Sequence, residues 1–276
     1  MAARSTKIVG VLVLVAAVAA GAVFGVRKLI DLAQTHYTFD HCTVGAYELD
    51  LDQAVVTAEM VGAVSKYRPA LPEHAAVLVL AAGLQESKLR NLQPGEGDRD
   101  SVGVLQQRPS QGWGGGDAAK LNDVGEATKE FLDALVKVTG WQTKPLADAI
   151  QAVQVSADGS AYAQHEDEAT ALADAFQGHK PAAVTCEFGK PTVVASAAKV
   201  AAQVSAQLPV GTPTTSGGTI SVPGAAWQTV AWFVANADRL GIDRVAYLDR
   251  VWSRADGWRA GQPNAPTVTA TMAVLD

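Results

Sequence analysis

The chain has 276 residues, of which 48% are apolar and 18% charged, with alanine and valine prominent and a net charge of −6 at pH 7. Such a composition folds, as one large domain or as a medium domain with a small one, and it carries extra apolar sequence somewhere along its length. The acidic balance gives no electrostatic support to a phosphate backbone, so nucleic acid drops out of the expected partners.

Much of the extra apolar sequence stands first. Ile8 to Val26 runs without a charge between Arg4 and Lys7 on one side and Arg27 and Lys28 on the other. A stretch of that length just crosses roughly 30 Å of hydrocarbon. Residues 1–31 therefore read as an N-terminal transmembrane helix, with the bulk of the chain on the extracytoplasmic side of the cell membrane. A cleaved signal segment followed by secretion is the alternative, because Ala17-Val18-Ala19 and Ala20-Gly21-Ala22 offer small-residue sites. The apolar run is longer, however, than the usual h-region of about 7–15 residues.

Residues 32–50 read as a linker and turn. From 51 to 68, Ala54, Val55, Ala58, Val61, Gly62 and Val64 recur at helical spacing, and Pro69 and Pro72 end the run. Pro72-Glu73-His74 opens a second helix. Its body, Ala75 to Leu84, is apolar nearly all round, the pattern of a helix buried on every side, and Glu86 closes it. Residues 91–117 hold seven glycines and two prolines, which makes an irregular segment or short hairpin. Helices follow over Asp123–Val138, Pro145–Val155 and Tyr162–Gln177. Residues 32–190 thus read as one mainly helical domain with an irregular insert.

Val193 to Leu208 is alanine-rich and reads as a connecting helix. Pro209 to Gly218 has the Pro/Gly/Thr composition of a linker, so 191–218 is taken as a connection. Residues 219–276 read as a small α+β module: a strand at Thr219–Val222, a helix at Ala225–Leu240, and strands at Arg244–Trp252 and Thr267–Val274. In so small a unit Trp227, Trp232, Trp252 and Trp258 are expected mostly in the core. An exposed subset would mark a glycan- or protein-binding face.

Two cysteines, Cys42 and Cys186, stand near the two ends of the helical domain. An exported chain meets an oxidising compartment, where such a pair is expected to be bridged; two separate buried thiols are the alternative. Neither has a neighbour at metal-ligand spacing, and no metal or other cofactor is expected. His165-Glu166-Asp167-Glu168 is metal-like only in composition, since successive residues of a helix do not face one another.

Chemistry concentrates in residues 85–113. Glu86 ends a helix walled by Val77, Leu78, Val79, Leu80 and Leu84, and a carboxyl against apolar surface holds its proton to higher pH and serves as a general acid. The segment after it, Gly97-Asp98-Arg99-Asp100-Ser101-Val102-Gly103-Val104-Leu105-Gln106-Gln107-Arg108-Pro109, is polar and flexible, of the kind that lies beneath an extended polar polymer. Asp98 or Asp100 is a possible second carboxylate, which an inverting hydrolase needs about 6.5–9.5 Å from the acid. The competing role for both is turn formation. Trp113, among glycines, reads equally as a sugar-stacking face and as a loop anchor.

Glu86-Ser87, then Gly103-Val104-Leu105-Gln106 and Pro109, resembles the signature of lytic transglycosylases of the soluble, goose-lysozyme-like type. The longer string from Gly97 through Gln111-Gly112-Trp113-Gly114 is similar to exported lysozyme-like proteins of actinobacteria. The resemblance spans about residues 50–180. The C-terminal string from Ala226-Trp227 to Ala237, with Trp252 and Trp258, looks like a small module of actinobacterial cell-wall proteins. The resemblance implies an α+β, lysozyme-like fold with Glu86 as the acid that protonates the glycosidic oxygen between N-acetylmuramic acid and N-acetylglucosamine. By the same resemblance Ser87 supports the helix end or Glu86, and Gln106 binds glycan beside the acid, with Ser101, Gln107 and Trp113 as further substrate-binding candidates. The family's third motif, Tyr-Asn-x-Gly, is replaced here by Val153-Gln154-Val155-Ser156. Gln154 can stand in for the amide, and Tyr162, eight residues on, for the missing phenol.

The expected function is cleavage of peptidoglycan glycan strands, by transglycosylation or hydrolysis. A non-catalytic wall-binding protein that keeps the groove is the alternative. The expected partners are the glycan strands and, through residues 1–31, the membrane.

Overall fold

The computed structural model describes residues 40–276 apart from 157, 225, 262–265 and 276. The transmembrane helix expected in residues 1–31 lies outside the described residues. Among the described residues, no helix is long and apolar enough to cross a membrane.

The described chain begins with a hairpin, β1 (His41–Val44) and β2 (Tyr47–Asp50), where the sequence pattern gives only a linker and turn. Cys42, Val44 and Leu49 point inward, but strands of four residues are too short to display a period. A third strand, β3 (Val184–Glu187), pairs antiparallel with the other edge of β1 and gives the order β2-β1-β3. In that register Cys42 stands opposite Cys186, and the two form a disulfide across 144 residues of chain. On the chain-entropy account, closing a loop of this size stabilises the fold by about 5 kcal/mol.

Between the two halves of that sheet lies the helical part. Helix α1 (Leu51–Lys66) starts at a capping box in which Gln53 Oε1 accepts from the Asp50 N–H. Helix α2 (His74–Ser87) is the central one: Ala75, Ala76 and every residue from Leu78 to Leu84 are buried, as its all-round apolar character requires. Around it stand the short α3 (Ala118–Asn122), then α4 (Val124–Leu135), α5 (Leu146–Gln154) and α6 (Glu166–Phe176). The expected Tyr162–Gln177 helix is a 3-10 turn, Gly159–His165, running into α6.

Helix α7 (Ala197–Gln207) leads to a six-stranded antiparallel sheet, of order β4-β5-β9-β6-β7-β8. Its strands are β4 (Thr214–Ser216), β5 (Thr219–Pro223), β6 (Ile242–Tyr247), β7 (Arg250–Ser253), β8 (Gly257–Ala260) and β9 (Thr267–Met272). The expected single strand Arg244–Trp252 is a hairpin, β6 and β7, turning at Leu248-Asp249. The expected helix Ala225–Leu240 is two, α8 (Trp227–Ala235) and α9 (Ala237–Leu240), divided at Asn236. Part of the expected linker, β4, pairs with β5.

Helix α8 packs between this sheet and the helical part, touching α1, α6, β3 and β6. Trp232 and Trp252 are buried, while Trp227 and Trp258 are half-buried against the same continuous core. The Trp258 indole donates to the Val184 carbonyl of β3 at 2.8 Å, which ties the two sheets together. The architecture is mixed α+β, and residues 40–276 share one core.

Candidate functional site

Glu86 sits in the last turn of α2, half-buried. The helix stops just beyond it because Lys88 and Leu89 both turn left-handed, at φ of +55° and +57°. The Lys88 N–H then reaches Leu84 and the Leu89 N–H reaches Gly83, both at 3.0 Å, which satisfies carbonyls of the last turn. Gln53 of α1 donates to the Lys88 carbonyl at 2.7 Å and fixes this end from outside. Ser87 is buried. Its hydroxyl donates to the Val104 carbonyl at 2.7 Å and accepts from the Arg90 N–H at 3.1 Å. The helix end is thereby fastened to the 103–106 segment.

Two groups from later in the chain converge on the Glu86 carboxylate. The Tyr162 hydroxyl, on a fully buried ring in the 3-10 turn, donates to Glu86 Oε1 at 2.6 Å. The Gln154 amide, at the end of α5, donates to the Leu105 carbonyl at 2.9 Å and lies near enough to the same carboxylate to favour its charged form. Burial pushes the Glu86 pKa above the usual carboxylate range, against the opposing pull of Tyr162 and Gln154. The Tyr162 phenol is pushed up as well, by burial first and then by its bond to Glu86, so it keeps its proton and remains a donor. Because Tyr162 donates to Oε1, a proton on Glu86 resides on Oε2.

A second layer lies behind this cluster. Gln85 Oε1 accepts from Gln164 at 3.0 Å and meets His165 Nε2 at 2.9 Å. An amide oxygen only accepts, so Nε2 of His165 carries its hydrogen, and burial lowers the His165 pKa and favours this neutral ring. Gln151 and Ser156 bond each other twice, side chain to side chain and side chain to carbonyl, both at 2.9 Å. None of Gln85, Gln151, Gln164 and Ser156 stands out by type or spacing; only adjacence to Glu86 and Tyr162 could have pointed to them.

The glycine-rich segment folds as turns with a single bridge, Val102 to Gln107. Gly103 has a φ of +76°, and a Cβ there would lie 2.3 Å from the Leu121 carbonyl oxygen, so only glycine fits. Gln106 is half-buried at a φ of +46° and donates back to the Gly103 carbonyl at 2.8 Å. Its amide oxygen lies where a Cβ on Gly97 would be, 2.2 Å away. Val155, just after Gln154, is also left-handed and is 78% exposed. Four non-glycine residues in this conformation, each costing on the order of 1–3 kcal/mol, therefore border the Glu86 cluster.

The other sequence candidates fall elsewhere. Gln107 is 2% exposed, and its amide donates to the Ala127 carbonyl of α4 at 3.2 Å. That makes it a tie between loop and helix, turned into the core and away from any ligand. Ser101 is buried under the same loop. Trp113 is half-buried and packs on the core. Asp98 points outward, beside Arg99 at 3.8 Å. Asp100 accepts from the Ser110 N–H at 2.8 Å and from Arg108 Nε at 2.9 Å. Hydrogen bonds from Ser110 and Arg108 hold its carboxyl far below the usual range. Among the described residues, no group of three or more His, Cys, Asp or Glu is placed to hold a metal ion.

The chain matches no family model, and no curated protein is significantly similar to it.

Proposed function

We propose that this chain cleaves the glycan strands of peptidoglycan between N-acetylmuramic acid and N-acetylglucosamine, using Glu86 as its single catalytic acid on a lysozyme-like helical fold. The Glu86 carboxyl carries this reading: burial raises its pKa, while Tyr162 and Gln154 fix its orientation. A group so held is still protonated at a pH where an exposed carboxylate is not, and it presents Oε2 to a leaving oxygen.

In the proposed reaction Glu86 gives its proton to the glycosidic oxygen as the bond to the muramic C1 breaks. The 6-hydroxyl of the same muramic residue then attacks C1, and its proton returns to Glu86. The products are a free glucosamine end and a 1,6-anhydro ring, with the acid regenerated and no water consumed. The engagement of Asp100 with Ser110 and Arg108, and the outward position of Asp98, favour this intramolecular route over activation of a water by a second carboxylate. Export, with residues 1–31 as a membrane anchor, would bring the site to its polymer.

The test is incubation of the full chain and of Glu86→Gln with purified peptidoglycan, with the products read by mass spectrometry. Anhydro-muropeptides from the unaltered protein alone are the expected result. Reducing-end products lost in the variant would replace transglycosylation by hydrolysis. No product from either protein, with wall binding retained, would overturn catalysis and leave a wall-binding protein.

A further inference from the structure

Helices α1, α4 and α7 line a cleft of about 630 Å³, and none of its lining residues lies on α2, the helix that carries Glu86. That volume falls within the roughly 300–1,000 Å³ of small-ligand sites. Helices α1 and α4 run along it in the same direction. At one end Glu59 of α1 stands beside the start of α4, where a Cβ on Gly125 would lie 3.3 Å from Asp123 Oδ1 and 3.9 Å from Glu59 Oε1. Glycine at 125 leaves that space open. At the other end the Tyr67 hydroxyl donates to Asp133 Oδ1 at 2.8 Å.

The charges sort along this length. Glu59 is half-buried near the Gln207 side chain of α7, and it faces the like charge of Asp123 more strongly than the opposite charge of Arg239. Gln207 is itself fixed, because its Oε1 accepts from the Trp232 indole at 2.6 Å. Toward the Tyr67 end, Lys129 and Asp133 neutralise each other at 2.7 Å. At the far end Lys66 and Arg68 donate to backbone carbonyls, those of Ser205 and Ala206 for Lys66 and of Ser65 and Tyr67 for Arg68. Among the described residues, neither cation pairs with a carboxylate. Glu59 and Lys66 are seven residues apart on one helix, about 10 Å.

We propose that this cleft binds a short zwitterionic peptide of two or three residues, with its ammonium group between Glu59 and Asp123 and its carboxylate at Lys66 and Arg68. Three extended residues span about 10 Å, the separation of the two ends. An ammonium group also relieves the repulsion between two neighbouring carboxylates, which a neutral ligand does not. Occupancy of the cleft is independent of any reaction at Glu86.

The test is calorimetric titration of the full chain with trialanine, its N-acetylated form and its C-terminal amide. Saturable binding of trialanine is expected, weakened by about tenfold or more when acetylation removes the ammonium group. A similar loss is expected in Glu59→Gln, and a smaller one with the amide, because Lys66 and Arg68 lie on the exposed rim. Absence of binding at millimolar trialanine would overturn the proposal. So would equal binding of the acetylated probe, a comparison made on the unaltered protein that holds even if the variant misfolds.

Discussion

Tyr162 and Glu86 stand 76 positions apart and meet in a hydrogen bond of 2.6 Å between phenol and carboxylate. The phenol favours the charged form of Glu86 while burial favours the neutral one. In Tyr162→Phe only burial remains unopposed on that side, so the Glu86 pKa rises further. In the proposed reaction Glu86 acts in its protonated form, so the alkaline limb of kcat/KM on peptidoglycan should move to higher pH. The maximal rate should fall by about tenfold, the usual weight of a hydrogen bond to a charged group. A limb that stays in place would separate Tyr162 from the titrating acid.

Glu86→Gln should abolish cleavage and also change how stability depends on pH. The folded-state pKa of Glu86 lies above its unfolded value of 4.5. The folded protein therefore keeps a proton that the unfolded chain releases, and the associated stability, complete below the unfolded value, is lost as pH rises through the folded one. The glutamine has no such dependence. Thermal melts from about pH 4 to about pH 8 should show the variant gaining on the parent across that window, with the gap constant above it. A gap that is flat with pH would mean that Glu86 is not desolvated.

Asp100→Asn distinguishes the two carboxylates. Asp100 belongs to its own loop, through Ser110 and Arg108. The substitution should lower stability only slightly, because the pair with Arg108 is screened by solvent. It should leave the anhydro product in place. A drop in rate of about a hundredfold or more, the scale of a lost acid–base group, would give Asp100 a chemical role.

Ser87→Ala removes the hydroxyl that joins the end of α2 to the Val104 carbonyl. It leaves the buried Val104 carbonyl short of a partner, while the Arg90 N–H keeps its bond to the Ser87 carbonyl, at a cost of about 1–3 kcal/mol. Urea unfolding should register that loss. Ser87→Thr, which keeps the hydroxyl, should recover part of it.

Much of the site was legible because its residues advertise themselves. Glu86 ends an apolar helix, Ser87 follows it, and Gln154 and Tyr162 hold the amide and phenol that the sequence offers. Their convergence on one carboxylate was not legible, since it depends on how α5 and the 3-10 turn pack on α2. Gln107 misleads for a related reason: it adjoins Gln106 in sequence, yet the bridge to Val102 turns its side chain the other way. The hairpin of β6 and β7 reads as one strand because its turn lacks glycine and asparagine; Leu248 takes the positive φ, at +52°. The three strands around the disulfide are too short to show a period, and only the two cysteines announce that their ends come together.

That pairing has a mechanical consequence. Cys42 and Cys186 face each other on adjacent strands, so residues between them form a covalent ring closed through sulfur. Tension pulled along the backbone into β1 and out of β3 crosses the sulfur bridge and bypasses the helices that hold Glu86. Strain in the flanking segments would leave the ring its shape, and a single backbone break inside the ring would leave both halves tethered until a reductant opened the bridge.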